Sequence, residues 1–267
     1  PINNIVDITN YILHAYGQPL HCFDADKIKG GKIVVKTVAE GTTFVTLDEV
    51  ERKLSDKDLM ICNTEEPMCI AGVFGGLDSG TTEQTVDVFL ESAYFNPTWV
   101  GKTARRHGLS TDSSFRFERG IDPNGTIYAL KEAALLVQEL AGGTISSEIK
   151  DNYPAPIADF TVELNYEKVH SLIGKTIPVE TIKSIVTSLE MKIVNETPGG
   201  LTLQVPPYRV DVQRDCDVVE DILRIYGYNN VEIPTTLKSS LTTKGEVDYS
   251  QKLQNLISEQ LVGCGFN

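Results

Sequence analysis

The chain has 267 residues, enough for one large domain or two smaller ones with a buried core. Hydrophobic content of 41% and charged content of 23% are those of a soluble globular protein, which excludes a disordered chain. A net charge of −13 excludes a surface that binds nucleic acid everywhere, so any RNA contact must be local. The five cysteines, Cys22, Cys62, Cys69, Cys216 and Cys264, are odd in number and form no Cys-x-x-Cys pair. That argues against a disulfide framework or a zinc knuckle and fits a reducing cytoplasm. No apolar run approaches the roughly 20 residues that span a bilayer, and no signal peptide is visible. The start at Pro1 and the end at Asn267 read as an excised piece of a longer chain.

In chain order, Ile5, Ile8, Ile12 and Tyr16 fall at helical spacing, and Gly17 ends that helix. Strand-like runs follow at Ile33–Thr37, Met68–Phe74 and Val86–Tyr94, separated by turn signals such as Gly30-Gly31 and Asp78-Ser79-Gly80. Pro97 opens a helix, Pro97–His107, and a polar loop is expected over Gly108–Ser114. A longer helix, Gly125–Leu140, is capped by Gly142-Gly143. Tyr153-Pro154-Ala155-Pro156 is the best linker. After it come strand Phe160–Leu164, helices Tyr166–Ile173 and Val179–Leu189, strands near Met191–Val194 and Leu201–Val205, and helix Asp217–Tyr226. Residues 248–263 form an amphipathic helix. Helices segregated from strands make the class α+β. The expected domains are 1–155, with a mixed sheet and packed helices, then a small α+β domain over 156–235, then the start of a third over 236–267.

Residues 91–123, ESAYFNPTWVGKTARRHGLSTDSSFRFERGIDP, concentrate unusual chemistry. Glu91 ends an apolar run, Lys102, Arg105 and Arg106 lie on the helix, and Arg116, Glu118 and Arg119 follow several hydroxyls. A carboxylate, hydroxyls and cations spaced to meet a polyanion are not what packing requires.

This wording resembles the editing domain in the beta subunit of bacterial phenylalanine–tRNA ligase. Residues 1–24, PINNIVDITNYILHAYGQPLHCFD, and 69–81, CIAGVFGGLDSGT, agree with it. Residues 205–234, VPPYRVDVQRDCDVVEDILRIYGYNNVEIP, resemble the domain that follows editing in the same subunit. The resemblance implies hydrolysis of tyrosine from misacylated tRNA(Phe), with tRNA(Phe) and an alpha subunit as partners in an alpha2beta2 heterotetramer. It implies no DNA and no membrane partner. ATP belongs only to the full enzyme, because the fragment lacks the aminoacylation site. The alternative is a non-catalytic scaffold that grips tRNA or a partner subunit.

Tyrosine and phenylalanine differ by one hydroxyl. A buried carboxylate that accepts the tyrosine hydroxyl separates them, since hydrogen bonds to charged groups are worth about 1.5–3 kcal/mol. Glu91, at the end of an apolar run, is the residue for this task, and it matches the family's hydroxyl acceptor. Its plainer reading is a solvated acid at a strand end. His21 can orient a water or hold a ribose hydroxyl, although a lone histidine is more often structural. The resemblance makes it the editing-site histidine. Thr9 and Asn10 suit holding a water or the terminal adenosine, against the alternative of local capping within a helix. The resemblance puts both in the pocket, assigns Ala71 and Gly72 to its wall, and places Thr111 and Ser113 along its lining. Ser113 departs from the alanine often found at that size-setting position. No Ser-His-Asp order or Cys-His signature appears, so a positioned water is the economical nucleophile.

Asp211, Asp217, Glu220 and Asp221 cluster at one helix start. Physics favours capping, because Asp217 and Glu220 form a D-x-x-E arrangement. The resemblance assigns these four to a magnesium site shared with the alpha subunit, with Asp221 standing where glutamate is usual. No cofactor is expected at the editing site itself.

Overall fold

The Asn3 side chain accepts from the Val6 N–H and starts α1 (Asn4–Tyr16), and Gly17, at φ 70°, closes it. These come from a computed structural model that describes residues 1–236 and 246–266. After α1 the chain forms β1 (Leu20–Asp24), β2 (Val34–Thr37), β3 (Thr43–Val45) and β4 (Glu51–Lys53). Next come β5 (Leu59–Cys62), β6 (Pro67–Ile70), β7 (Phe74–Gly75) and β8 (Val88–Ser92). Three helices follow, α2 (Pro97–Arg106), α3 (Asp112–Arg119) and α4 (Thr126–Ala141). The small C-terminal module consists of β9 (Phe160–Asn165), α5 (Tyr166–Ile173), α6 (Val179–Ser188), β10 (Lys192–Thr197), β11 (Gly200–Val205) and α7 (Asp215–Tyr226).

The architecture is α+β, and every strand pairing among the described residues is antiparallel. β1 pairs with β8 in a register that sets His21 opposite Glu91. A four-stranded sheet runs β2-β5-β6-β7, β3 pairs with β4, and β10-β11-β9 forms the sheet of the small module. Two cores hold the first module. Phe23, Leu54, Met60, Ile61 and Ile70 pack with Phe95, Val100 and Phe117. Ile8 and Ile12 of α1 pack on Ala129 and Ala133 of α4, with Leu20 and Leu90 beneath. Burial of Ile12 alone stabilises by about 1.5–3 kcal/mol. That packing fixes α1 over β1 and β8, the strands that carry His21 and Glu91.

The chain divides into two compact units, Pro1–Tyr226 and Gly227–Asn267. The second contains α8 (Glu246–Gly263), whose Tyr249, Leu253, Leu256, Ile257 and Leu261 are exposed. The opening of the third domain expected from residue 236 falls partly on residues 237–245, which lie outside the described residues. No helix among the described residues is long and apolar enough to cross a membrane.

Two expectations are corrected. The loop over 108–114 already enters a helix at Asp112. Thr111 caps it by accepting the Ser114 N–H, and Ser114 accepts the Thr111 N–H in return. The hydroxyls that read as loop chemistry are the cap. The run Met68–Phe74 is split into β6 and β7 by a turn through Ala71-Gly72-Val73, where Gly72 takes φ 69°. A β-carbon there would also come within 2.9 Å of the Phe95 ring and 3.0 Å of the Phe117 ring.

Candidate functional site

The β1–β8 register makes His21 and Glu91 cross-strand neighbours on one face. Cys69 and Gly75 of the β6–β7 hairpin are register partners of each other. Gly75 lies against the imidazole so closely that a β-carbon there would sit 2.7 Å from His21 Cε1. Glycine at 75 therefore admits the ring. The Glu91 charge acts on the Cys69 thiol, which burial already pushes well above its ordinary value. One hairpin thus backs both ionisable groups.

His21 and Glu91 retain some surface as whole residues, yet their ionisable ends are desolvated. Burial lowers His21 from 6.5 to about 4, so the ring is neutral near pH 7. Its Nε2 is inaccessible and has no hydrogen-bond partner. Burial raises Glu91 from 4.5 to about 7, with no cation beside it to hold the charge. A neutral imidazole and a half-ionised carboxyl, both unpartnered and a strand apart, supply a hydrogen-bond acceptor and a proton acceptor for a polar ligand.

A second group of expected residues gathers at the N-terminus of α3. Ser113 Oγ donates to the Gly72 carbonyl at 3.1 Å, and Thr111 Oγ1 donates to the Val73 carbonyl at 2.8 Å. Ala71 is buried beside them. The hydroxyls fasten α3 to the hairpin turn, so Ser113 here positions backbone as well as space. We expect Ser113→Trp to block ligand entry while the fold persists. Parental affinity for a small ligand in a folded Ser113→Trp protein would show that Ser113 does not line the site.

Thr9 and Asn10 stand apart from this set. Thr9 Oγ1 donates to the Val6 carbonyl at 2.8 Å, the local capping alternative, and Asn10 is exposed. No hydrogen bond joins either to His21 or Glu91 among the described residues. They are brought near only in that α1 packs on β1.

The basic cluster divides by partner. Arg106 pairs with the fully buried Asp58, which also takes His107 Nε2 at 2.7 Å and Thr103 Oγ1 at 3.0 Å. Burial works against that carboxylate, but the Ser55 N–H, His107 and Thr103 bring it below its ordinary value. Arg106 is thus a structural tie to Asp58. Sequence reading missed Asp58, since a lone aspartate after Lys57 carries no pattern. Lys102 and Arg105 are exposed.

The acidic cluster does not close into a cage. Asp217 accepts from the Arg214 N–H at 2.9 Å and from its guanidinium, which holds the carboxyl down to about 2. Glu220 pairs with Arg224 and Asp221 with Arg209. Asp211 is exposed and acts on Asp221 only through its charge. The helix begins two residues before Asp217, so Asp217 reaches back to its start from the N3 position and does not cap it from outside. No group of three or more His, Cys, Asp or Glu among the described residues is placed to hold a metal ion. Arginines hold Asp217, Glu220 and Asp221 while Asp211 has none among the described residues, so the four carboxylates do not converge on one magnesium-sized point in this arrangement. We expect magnesium titrated into the chain to give no stoichiometric heat in calorimetry. A saturable signal lost in Asp217→Ala would contradict this.

Residues 1–142 match the B3/4 domain family and residues 162–228 the tRNA synthetase B5 domain family. The chain is 82% identical over 267 residues to the phenylalanine–tRNA ligase beta subunit of Bacteroides thetaiotaomicron, covering 100% of the chain and 33% of that protein. Identity to the Porphyromonas gingivalis beta subunit is 59% over 268 residues, covering 100% of the chain and 33% of that protein. An N-terminal fragment of the phenylalanyl-tRNA synthetase beta subunit from Pyrococcus horikoshii matches with TM-score 0.43 and 16% identity, covering 84% of this chain and 65% of that one. The chain spans about a third of the length of the curated relatives it matches.

Proposed function

Since the chain belongs to the B3/4 domain family and is similar end to end to phenylalanine–tRNA ligase beta subunits, we propose that it is the editing part of such a subunit. Its substrate is tyrosyl-tRNA(Phe), and the reaction is hydrolysis of the ester to the tRNA 3′ end. The observation that supports this reading is the cross-strand pair His21 and Glu91, whose ionisable groups are both desolvated by burial and of which His21 Nε2 has no hydrogen-bond partner.

In this reading Glu91 accepts the tyrosine hydroxyl. With phenylalanine the same carboxyl lies against a bare ring and gains nothing, and its ionised form is penalised. His21 is neutral near pH 7, and its Nε2, closed off in the free protein, accepts a hydrogen bond from a water or a ribose hydroxyl once the bound ester opens the space around the ring. Orientation and desolvation supply the rate, with water as nucleophile. Gly75 and the Ala71–Val73 turn form the wall, and α3 closes it through Thr111 and Ser113. Thr9 and Asn10 enter only when the terminal adenosine is bound, which accounts for their lack of internal partners at the pocket.

Partnership with tRNA(Phe) and an alpha subunit, and membership of an ATP-dependent ligase, belong to the same proposal. The scaffold reading draws on the arginine-paired acids of α7, which offer a charged surface without chemistry. Deacylation separates the two. The chain and a full-length subunit are offered tyrosyl-tRNA, and failure of both to hydrolyse it leaves only the scaffold.

A further inference from the structure

A cleft of about 560 Å³ opens between the first module and the small module, and a second cavity of about 320 Å³ adjoins it at Tyr16, Gly17 and Asp122. Between them the two cavities expose four aromatic side chains, Tyr16 at 44%, Phe115 at 48%, Tyr208 at 38% and, in the smaller one, Tyr128 at 54%, which meets Tyr16 edge to face. Arg116 and Arg119 stand among them. The Arg119 guanidinium lies 3.6 Å above the centre of the Phe115 ring. It donates through Nη1 to the Phe115 carbonyl and Glu118, with no partner for Nη2 or Nε among the described residues. Arg116 is held by Asp112 and by His14 Nδ1 at 3.2 Å.

We propose that this cleft carries the unpaired nucleotides that lead to the aminoacylated 3′ end, their bases on the aromatic rings and their phosphates on Arg119 and Arg116. The proposal rests on the reading of the recess as an ester-hydrolysing pocket and extends it to the strand outside. Exposed rings interleaved with arginines are the means by which single strands are held without sequence readout. The cleft also has the right place. Gln18 lines the smaller cavity and His21 follows it by three positions, in β1. On α3, Arg119 lies six positions after Ser113, about 9 Å of helix, the reach of two or three stacked nucleotides. Two carboxylates also line the cleft and lower its positive potential. Glu190 accepts the Tyr208 hydroxyl, and Asp122 accepts the Asn124 N–H at 2.9 Å. Stacking therefore supplies more of the binding than charge, in keeping with a chain whose net charge is −13.

The test uses the 267-residue chain and a full-length subunit, each as parent and as the Phe115→Ala, Arg119→Ala double variant. The first probe is a fluorescein-labelled single-stranded oligoribonucleotide with the tRNA 3′ sequence and no amino acid. The parent should bind it with a log–log salt slope of about −1.4, and loss of Arg119 should flatten that slope by about 0.7. The double variant should bind about tenfold or more weakly, with Phe115→Tyr keeping parental affinity and melting temperature. The second probe pair is tyrosyl-tRNA and 2′(3′)-O-tyrosyl adenosine, which fills only the recess. The double variant should raise KM for tyrosyl-tRNA about tenfold, leave kcat in place, and hydrolyse tyrosyl adenosine at the parental rate. Oligonucleotide affinity that is absent in the parent, or equal in parent and variant, overturns the cleft assignment. So does a variant that binds RNA normally but loses association with another protein. If neither ester is hydrolysed while the oligonucleotide is bound and released as predicted, the recess reading fails and the cleft stands.

Discussion

Glu91→Ala is expected to bind free tyrosine and phenylalanine with equal affinity, where the parent prefers tyrosine by about 10- to 150-fold. The range is that of one hydrogen bond to a charged acceptor. Because burial sets Glu91 at about 7, the carboxylate fraction grows between pH 6 and pH 8, and the parent's preference should grow with it. A preference that survives in the variant, or that is flat with pH, removes Glu91 from the role. Stability gives an independent reading of the same group. The folded protein holds the Glu91 proton up to about pH 7, while an unfolded chain releases it near 4.5. The folded state binds more protons between those values, so this carboxyl makes stability fall as pH rises through them. His21 has the opposite slope. It is neutral in the fold down to about pH 4 but protonates near 6.5 when unfolded, so stability rises across that window. The two offset each other where the windows overlap. Glu91→Gln should therefore be more stable than the parent at pH 8, by up to about 3 kcal/mol of unfolding free energy. It should also expose the uncompensated His21 rise between pH 4 and pH 6.5.

Asp58→Ala is expected to destabilise the first module by about 3 kcal/mol, the low end for breaking a buried ion pair. The low end applies because the Arg106 side chain is 35% exposed and can turn to water, while Thr103 and His107 cannot. Asp58 takes the Ser55 N–H, Thr103, Arg106 and His107 together, and so ties α2 to the turn before β5. Since α2 packs on α3, loosening it should also loosen the Ser113 contact with Gly72. Urea denaturation of parent and Asp58→Asn at pH 7 measures this. Asparagine keeps the shape but loses the charge, and equal midpoints for both substitutions and the parent would show that the hub carries no stability.

Helices announced themselves in the sequence because their caps are local. Gly17 and Gly142 end α1 and α4, and Asn165 starts α5 by accepting the Lys168 N–H at 3.0 Å. The short strands β3, β4 and β5 left little trace, for three or four residues give no usable alternation. The serine-rich stretch before α3 was misread because the same hydroxyls serve loops and caps. In the site, His21 and Glu91 were readable as candidates, but their pairing depends on the β1–β8 register between residues 70 apart. Nothing in the sequence marks Gly75, whose role depends on the His21 ring packed against it. The acids of α7 read as a cap on physical grounds and as ligands only through the resemblance, and sequence alone does not show that Asp217, Glu220 and Asp221 are each paired with an arginine.

The most direct measurement of the central claim is the ratio of deacylation rates for tyrosyl-tRNA(Phe) and phenylalanyl-tRNA(Phe), taken with a full-length subunit in parent and Glu91→Ala forms. The parent should hydrolyse the tyrosyl ester fast and the phenylalanyl ester slowly, and the ratio should fall toward one in the variant. A ratio unchanged by loss of Glu91, or hydrolysis of neither ester by the parent, would contradict it.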